Sequence, residues 1–412
     1  MSKLAISKAI SVAVGMAMAT SCFNIVANIA KYNNMSGILA MFIGFALALA
    51  LTYSFVLCAK KFPTAFGMRT YIQAGFGSSL SIFIILLYMS LIGMIGILES
   101  HLLANLFMQI WPSISPSFII ISVFLISLFL SVKNIELSLL AQLYMVIVMF
   151  LILFTVAIFN ISTANFSHIN YEINFSNFST AIISSFFLLV GFESVVLVAN
   201  QSRKIVKSMP RILWISVICI FFIYILINMA FVASNYNGNA NAQLFLLKNI
   251  PYGEYIALVV STLAVLTSFN TGISATGRMV YSLSREQLLP KIFMKLNDQA
   301  IPYIAIIAAT GLILIASLIF KLSDIYLYGN IAAFLIVLCY LCVNLSAIKL
   351  KISANKIGKF VQYFTLVVLV LLLVSVAYSL NKDIYKLIFW LFLTLIFFMY
   401  MKYYQVLSRK KS

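Results

Sequence analysis

Two glutamates are the residues of this chain best placed to do chemistry. The sequence has only nine Asp and Glu, and seven of them, such as Glu136 and Asp383, fall in connecting segments or at the ends of apolar stretches. Glu99 and Glu193 lie inside apolar stretches, where an ionisable side chain is costly and usually faces a partner or a cavity. A carboxylate there attracts a cationic group or carries a proton. The two glutamates therefore predict a buried site for a cation or a proton.

Each glutamate also has a purely structural interpretation. Glu193 follows Gly191 closely, and a glycine weakens a helix and frees backbone groups that a cavity or a ligand must then satisfy. In the structural interpretation, the carboxylate of Glu193 only forms a hydrogen bond to a neighbouring helix. Glu99 precedes Ser100 and His101. It could pair with that histidine, or it could lie at the wet outer end of a long helix.

Other site chemistry has little support. The five cysteines lie in or beside apolar stretches, where a thiol packs as a small hydrophobe, and Cys339 and Cys342 have no second pair to complete a metal site. His101 and His168 cannot form such a site alone, and neither a glycine-rich phosphate loop nor a nucleophile elbow is present. We therefore expect a protein that is not an enzyme, without catalytic residues, metal or resident cofactor.

The elements that carry these residues are predicted to be membrane helices. The chain of 412 residues is 64% hydrophobic and 9% charged, whereas a soluble domain is roughly 45–50% apolar and about 25% charged. A spanning helix needs about 20 apolar residues, and near-continuous apolar runs favour helices over a barrel. The first run lacks a small-residue cleavage site and indicates a retained helix. Twelve stretches qualify: 10–30, 36–59, 79–109, 117–132, 137–160, 180–200, 211–233, 252–283, 303–320, 325–348, 360–380 and 383–404.

The basic residues predict how these helices are oriented. With the N-terminus inside, 22 of the 27 Lys and Arg fall in the seven segments on the cytoplasmic side, and this bias sets orientation. Both termini are then cytoplasmic, and the net charge of +18 is an orienting signal that needs no nucleic-acid partner. Because no long extramembrane domain is present, we expect a multi-pass protein of a bacterial or archaeal plasma (inner) membrane.

Four motifs resemble the amino acid/polyamine/organocation (APC) superfamily of amino-acid permeases. They occur in the family's order and at its spacing, and together they cover most of the chain. The motifs are Phe62-Pro-Thr-Ala-Phe-Gly67 with Tyr71 and Phe76-Gly77, Val190-Gly191-Phe192-Glu193-Ser194, the segment from Asn200 to Pro210-Arg211, and Arg278-Met-Val-Tyr281 with Arg285 and Pro290, followed by Pro302-Tyr303.

The resemblance implies a leucine-transporter-like fold in one transmembrane domain, residues 1–412. Helices 1–5 (10–160) and 6–10 (180–348) would form two inverted repeats, with two accessory helices at 360–404. The first helix of each repeat is interrupted in such transporters, here at Ala19-Thr20-Ser21 and Val190-Gly191. Half-helix N-termini at these breaks bind an anion such as an α-carboxylate, and freed carbonyls bind an ammonium or a coupling ion.

The site residues follow from the same resemblance. Glu99 corresponds to a substrate side-chain position in the arginine-exchanging branch, so we expect a cationic substrate or a proton-linked step, and Glu193 is the second gating or coupling candidate. Phe187 corresponds to an aromatic gate. The remaining predicted substrate-binding residues are Ala19, Thr20, Ser21, Gly191, Asn270, Thr271 and Ser274.

The chain departs from the family pattern at three places. Ala19-Thr20-Ser21 replaces a G-S-G signature, and Asn200-Gln-Ser-Arg-Lys-Ile replaces E-E-x-K-N-P. Some proton-coupled relatives carry a fifth-span lysine in place of a sodium ion, and residues 137–160 contain none.

The function predicted from the sequence is secondary-active transport by alternating access. The expected partners are the lipid bilayer and a small-molecule substrate. That substrate is an amino acid, which can be a cationic one, or a related amine. Symport and exchange both stay open, as do a coupling proton and a sodium ion, and the sequence is silent on oligomeric state. A lipid-linked saccharide flippase is one alternative, although a pyrophosphate would favour Lys or Arg deep in the spans. A membrane enzyme or sensor is another.

Overall fold

The chain folds as α-helices throughout its described part. The computed structural model describes residues 3–410 except 34, 64–66, 165–173, 196–202, 237, 239–240, 321–324 and 354. Within those ranges we number the α-helices α1 Lys3–Ala17, α2 Thr20–Asn33, α3 Ser36–Lys61, α4 Met68–Phe76, α5 Ser78–Ile110, α6 Pro116–Lys133, α7 Ile135–Ser162, α8 Phe175–Phe187, α9 Arg203–Ala233, α10 Ala242–Leu247, α11 Gly253–Arg285, α12 Tyr303–Ile319, α13 Ile325–Lys349, α14 Lys356–Ser379 and α15 Ile384–Lys410.

Most of these helices are long and apolar enough to cross a bilayer. Ten segments qualify in the described part of the chain, with α8 counted together with the residues that follow it as Phe175–Val195, and the bent pair α1 and α2 makes an eleventh if it counts as one span. The helix α12 is apolar but has 17 residues, or about 26 Å at 1.5 Å per residue. Each predicted stretch overlaps a helix or the bent pair, although 180–200 runs beyond α8 and its residues 196–200 lie outside the described part. The number of stretches that span the membrane stays a prediction.

The first span is broken near its middle. Helix α1 ends at Ala17, α2 begins at Thr20, and the two halves meet at an angle of 63°. The break was predicted at Ala19-Thr20-Ser21; in the structure Met18 and Ala19 separate the halves, and Thr20 and Ser21 open the second one. Because the first amides of a helix have no acceptor within it, this break presents N–H groups to the surrounding helices.

The sixth span is interrupted as well. Helix α8 ends at Phe187, a turn follows, and Gly191 has a φ of +113°, which favours glycine because it has no Cβ. A Cβ at this position would lie 2.9 Å from the Ala17 nitrogen. The interruptions of the first and sixth spans are therefore in direct backbone contact. Residues 196–202, which hold the start of the Asn200 motif, lie outside the described part.

Burial separates central helices from peripheral ones. In the apolar window of α11, 72% of the residues are buried, against 28% in α14 and 17% in α15. Helix α11 contacts α1, α5, α6, α7 and α12, whereas α15 packs mainly on α5. The accessory helices therefore present apolar surface outward, which suits contact with lipid.

The short helix α4 links the two halves of the chain on the side predicted to be cytoplasmic. Its Arg69, which is buried, donates to Ser282 Oγ at 2.9 Å and forms an ion pair with Glu286 just after α11. The Phe62–Gly77 and Arg278–Pro290 motifs are thereby joined, apart from residues 64–66, which lie outside the described ranges.

Candidate functional site

The carboxylate of Glu99 fills the break in the first span. The backbone N–H of Thr20 donates to Glu99 Oε2 at 2.6 Å, and the N–H of Ser21 donates to Oε1 at 3.1 Å. Glu99 is on α5 and has no exposed surface. The partial positive charge of a helix N-terminus stabilises an anion, so the α2 terminus balances the charge of a glutamate from the third span.

Polar groups on both sides of the break are bonded to other helices. The Tyr224 hydroxyl, on α9, donates to the Ala17 carbonyl at 2.6 Å. Gln243, on α10, donates through Nε2 to the Thr20 carbonyl at 3.3 Å. The Thr20 hydroxyl donates to the Ser261 carbonyl of α11 at 3.4 Å. Four helices therefore meet at the break, counting α5 with Glu99, and each supplies a polar contact.

A second buried carboxylate belongs to the sixth span. Glu193 is 4% exposed; its Oε1 accepts from the Tyr88 hydroxyl at 3.1 Å, and its Oε2 accepts from the Tyr340 hydroxyl at 2.6 Å. The backbone N–H of Gly191 also donates to Oε2, at 3.0 Å. Three donors from α5, α13 and the interrupted span therefore satisfy one carboxylate, as expected of a buried charge.

The polar residues of the eighth span lie in a different place. Asn270 Oδ1 accepts from the Ser138 hydroxyl at 2.8 Å and from the Ser131 hydroxyl at 3.3 Å, while its Nδ2 donates to Gln142 Oε1 at 3.0 Å. All four residues are buried. The cavity beside this network is lined by Asn270, Thr271 and Ser274 of α11, together with Val12, Ser131, Ile135, Ser138, Leu139 and Arg278.

Gln142 joins three spans through neutral hydrogen bonds. Its Nε2 donates to the Ser11 carbonyl of α1 at 3.3 Å and to the Thr267 carbonyl of α11 at 3.1 Å. The side chain fits closely, since a Cβ on Gly15 would lie 2.2 Å from Nε2. An amide on the fifth span therefore holds the first and eighth spans together.

A second cavity adjoins the break on its apolar side. It is lined by Met16, one residue before the end of α1, and by Gly96 of α5, three residues and so about one helical turn before Glu99. The other lining residues are Ile92, Ile95, Phe124, Ser268, Phe269, Gly272, Ile273 and Ile313. Glu99 is not among the lining residues, and the space about one helical turn away is small, about 20 Å³, with mostly hydrocarbon walls.

The structure divides the sequence-predicted site into two groups. One surrounds the adjoining breaks and consists of Ala19, Thr20, Ser21, Gly191, Glu99 and Glu193; the other consists of Asn270, Thr271 and Ser274 in the polar cavity. Phe187 is half-buried at the end of α8, with its ring 5.7 Å from that of Phe186. In the described part of the chain no hydrogen bond joins Glu99 to His101, and Glu99 is not at a wet helix end.

Sequence reasoning missed the polar partners of these residues. Tyr88, Tyr224 and Tyr340 gave no signal, because tyrosine is common in apolar spans. Gln142 and Gln243 could have been found, since a glutamine within or beside an apolar stretch needs a bonding partner.

The family follows from a match along nearly the whole sequence. Residues 4–406 match the family model described as amino acid permease. The chain belongs to the amino acid permease family. The family and the apolar helices together describe a multi-pass membrane protein, and the resemblance to the APC superfamily is confirmed.

Curated relatives are similar at low identity over part of their length. The chain is 28% identical over 187 residues to the gamma-aminobutyric acid permease of Escherichia coli, covering 42% of this chain and 39% of the relative. It is 28% identical over 238 residues to the uncharacterized amino acid permease YecA of Bacillus subtilis, covering 55% of each. The lysine-specific permease LysP of Lactococcus lactis is 34% identical over 129 residues, 29% of this chain and 25% of the relative. The permease thus spans about half or less of the relatives it matches.

Proposed function

We propose that this permease moves an amino acid or a related amine across the plasma membrane by alternating access, as a secondary-active transporter. The observation that carries the proposal is the bent first span, whose second half directs the N–H groups of Thr20 and Ser21 at a buried carboxylate. Broken helices at the membrane midplane are where such transporters bind substrate. A helix bundle with only a structural role has no need of two interruptions in contact.

The proposed fold is the five-plus-five inverted repeat with two accessory helices. The twelve-span arrangement, with residues 10–160 and 180–348 as the repeats and both termini in the cytoplasm, belongs to this proposal. Its support is the equivalent position of the two interruptions and the contact between Gly191 and Ala17. Movement of one repeat against the other would open the breaks to either side in turn.

The mode of transport is proposed to be exchange, or symport with a cation bound elsewhere than at the fifth span. Gln142 already donates to carbonyls of the first and eighth spans, and a sodium ion or a lysine ammonium at this place would bind those same carbonyls. A neutral amide performs the bridging without a cation. The position of Gln142 therefore favours a transport cycle that needs no sodium ion between these helices.

The test is uptake by liposomes that contain the purified permease. The panel consists of radiolabelled gamma-aminobutyrate, lysine, D-serine and glycine, which the relatives' names suggest, together with the other amino acids and simple amines. Each is measured with a sodium gradient, with a proton gradient, and with unlabelled substrate inside. We expect uptake or counterflow of at least one compound above that of protein-free liposomes. If none of the compounds enters under any condition, the proposed function is wrong.

A further inference from the structure

We propose that the substrate of this permease is an organic amine that lacks a carboxylate beside its ammonium group, and that Glu99 is the counter-ion that binds it. The inference rests on the proposed transport function and narrows its substrate class. Its basis is the position of the Glu99 carboxylate on the two amides that open α2.

The anion position at the break is already occupied by the chain itself. The N–H groups of Thr20 and Ser21 are the donors that a substrate carboxylate would need at this break, and each one donates to an oxygen of Glu99. Glu99 has no exposed surface, so the contact lies away from solvent. An α-carboxylate could bind only after this carboxylate had left its amides, and a displaced buried carboxylate loses both of its bonds.

A second carboxylate beside Glu99 would also be repelled. Like charges within a few ångströms of each other in a low-dielectric interior are strongly disfavoured. Glu99 accepts from backbone amides, and the described residues that line the adjoining apolar cavity include neither Lys nor Arg. The electrostatic surroundings of the break therefore oppose a further anion.

A cation finds the opposite conditions there. A carboxylate has about four acceptor positions on its two oxygens. The two amides use one on each oxygen, and the Ser21 and Thr20 hydroxyls lie within bonding reach of the same carboxylate. Because a hydroxyl rotates and also accepts, it can turn away and let an ammonium donate to the carboxylate. The adjoining space of about 20 Å³ has apolar walls around Met16 and Gly96, and it must widen to take the carbon chain of an amine.

Glu193 is less suited to bind the ammonium. Its two oxygens accept from the Gly191 amide and from the hydroxyls of Tyr88 and Tyr340. The two tyrosines belong to other spans, so an ammonium at Glu193 would have to break bonds that join helices. The inference therefore assigns recognition of the ammonium to Glu99 and a positioning role to Glu193.

The experiment compares pairs of ligands that differ only in the carboxylate. Lysine is paired with cadaverine and leucine with isoamylamine, which are their decarboxylated counterparts. Binding to the purified full chain is followed by its thermal unfolding, and the same four compounds compete for counterflow into liposomes with the best substrate of the wider panel. We expect each amine to act at a concentration about tenfold or more below that of its amino acid, since a like-charge contact at the break opposes the carboxylate of the amino acid.

Two variants connect the preference to the buried carboxylate. Glu99→Gln removes the negative charge and keeps the shape, so the tenfold preference for the amines is expected to fall to about threefold or less. Glu254→Gln is the matched control, because Glu254 is exposed in the first turn of α11. It should keep the wild-type preference. If Glu99→Gln does not fold, Glu99→Asp is used instead; it keeps the charge but draws it away from the amides by one carbon, so the preference for the amines should be retained while the absolute affinity for them changes.

The outcomes distinguish this inference from the proposed function. If lysine and leucine act at lower concentrations than their amines in the wild-type protein, the inference is wrong and transport of amino acids stands. If the preference is unchanged in Glu99→Gln, Glu99 is not the counter-ion. If no amino acid or amine binds or is transported, the proposed function is wrong as well. The wild-type comparison requires no variant to fold.

Discussion

Replacing Gly191 with alanine should separate the two broken spans. Gly191 has a φ of +113°, and an added Cβ would lie 2.9 Å from the nitrogen and 3.0 Å from the Cα of Ala17. Both contacts are with backbone, so no side-chain rotation relieves them. The left-handed backbone costs about 1–3 kcal/mol for a residue with a Cβ, and forcing an extra methyl into a packed site costs about 1–3 kcal/mol. We expect Gly191→Ala to lose about 2–6 kcal/mol of stability by these two effects.

Two other glycines separate those effects. Gly77 has a φ of +87°, but a Cβ there would have no neighbour within 4 Å, so Gly77→Ala tests backbone strain alone. Gly311 lies inside α12 with equally open surroundings, and Gly311→Ala should be neutral or stabilise by up to about 1 kcal/mol. The three variants should therefore rank Gly311→Ala, then Gly77→Ala, then Gly191→Ala in increasing loss of stability.

The assay is thermal unfolding of the detergent-solubilised protein together with substrate uptake in liposomes. Gly191→Ala should melt several degrees below Gly77→Ala. It should also transport poorly, because the added methyl group pushes the first and sixth spans apart and displaces the groups at their interruptions. Equal melting temperatures for Gly191→Ala and Gly311→Ala, with normal uptake by both, would refute the idea that the interruptions are in tight backbone contact.

The remaining predictions concern polar contacts of the buried spans. Tyr340→Phe removes the 2.6 Å bond to the carboxylate of the sixth span and should cost about 1.5–3 kcal/mol by thermal unfolding, whereas Tyr378→Phe, at an 81% exposed residue, should cost about 0.5 kcal/mol or less. Gln142→Met keeps the volume of the side chain but removes its bonds to two carbonyls and to the Asn270 amide, which keeps a bond to the Ser138 carbonyl, so it should cost about 1–3 kcal/mol. Glu286→Gln weakens the ion pair between Arg69 and Glu286. The Glu286 side chain is 42% exposed, so the loss of stability should be about 1 kcal/mol at low salt and smaller at high salt.

Each of these predictions has an outcome that contradicts it. Equal unfolding of the two Tyr→Phe variants would mean that the sixth-span carboxylate gains nothing from its tyrosine donor. A Gln142→Met protein as stable as the wild type would show that the bridge is not needed. A loss in Glu286→Gln that does not change with salt would indicate packing rather than charge.

The helices could be predicted from the sequence, but the contacts between them could not. Hydropathy and length place the spans because the cost of exposing backbone groups to lipid depends only on local composition. The first break was placed within about one residue of its observed position, through the resemblance to the APC superfamily. Glu99 was expected to be buried, yet its partner at Thr20 lies 79 residues away in the chain, and no local pattern reports such a pairing.

The eighth span shows that a buried polar side chain has more than one interpretation. Asn270 was expected to face the substrate; the structure bonds it to Ser131, Ser138 and Gln142 and also places it in the wall of a cavity, so its role in binding stays a prediction. A buried amide must find donors and acceptors, and neighbouring helices can supply them as well as a ligand can. The sequence gives no means to choose between the two, because the choice depends on which helices are adjacent.

The contact between Glu99 and the first break also bears on how the protein is made. Chains enter the membrane from the N-terminus, and the exposed amides of a broken helix are costly in lipid. Their acceptor arrives with α5, within the first 110 residues, so the first half of the molecule can bury its own break before any later span is synthesised. Tyr88, which donates to Glu193, is synthesised before it, whereas Tyr340 on α13, the other tyrosine donor, is synthesised after it. Assembly of the sixth span is therefore completed only after α13 has been synthesised.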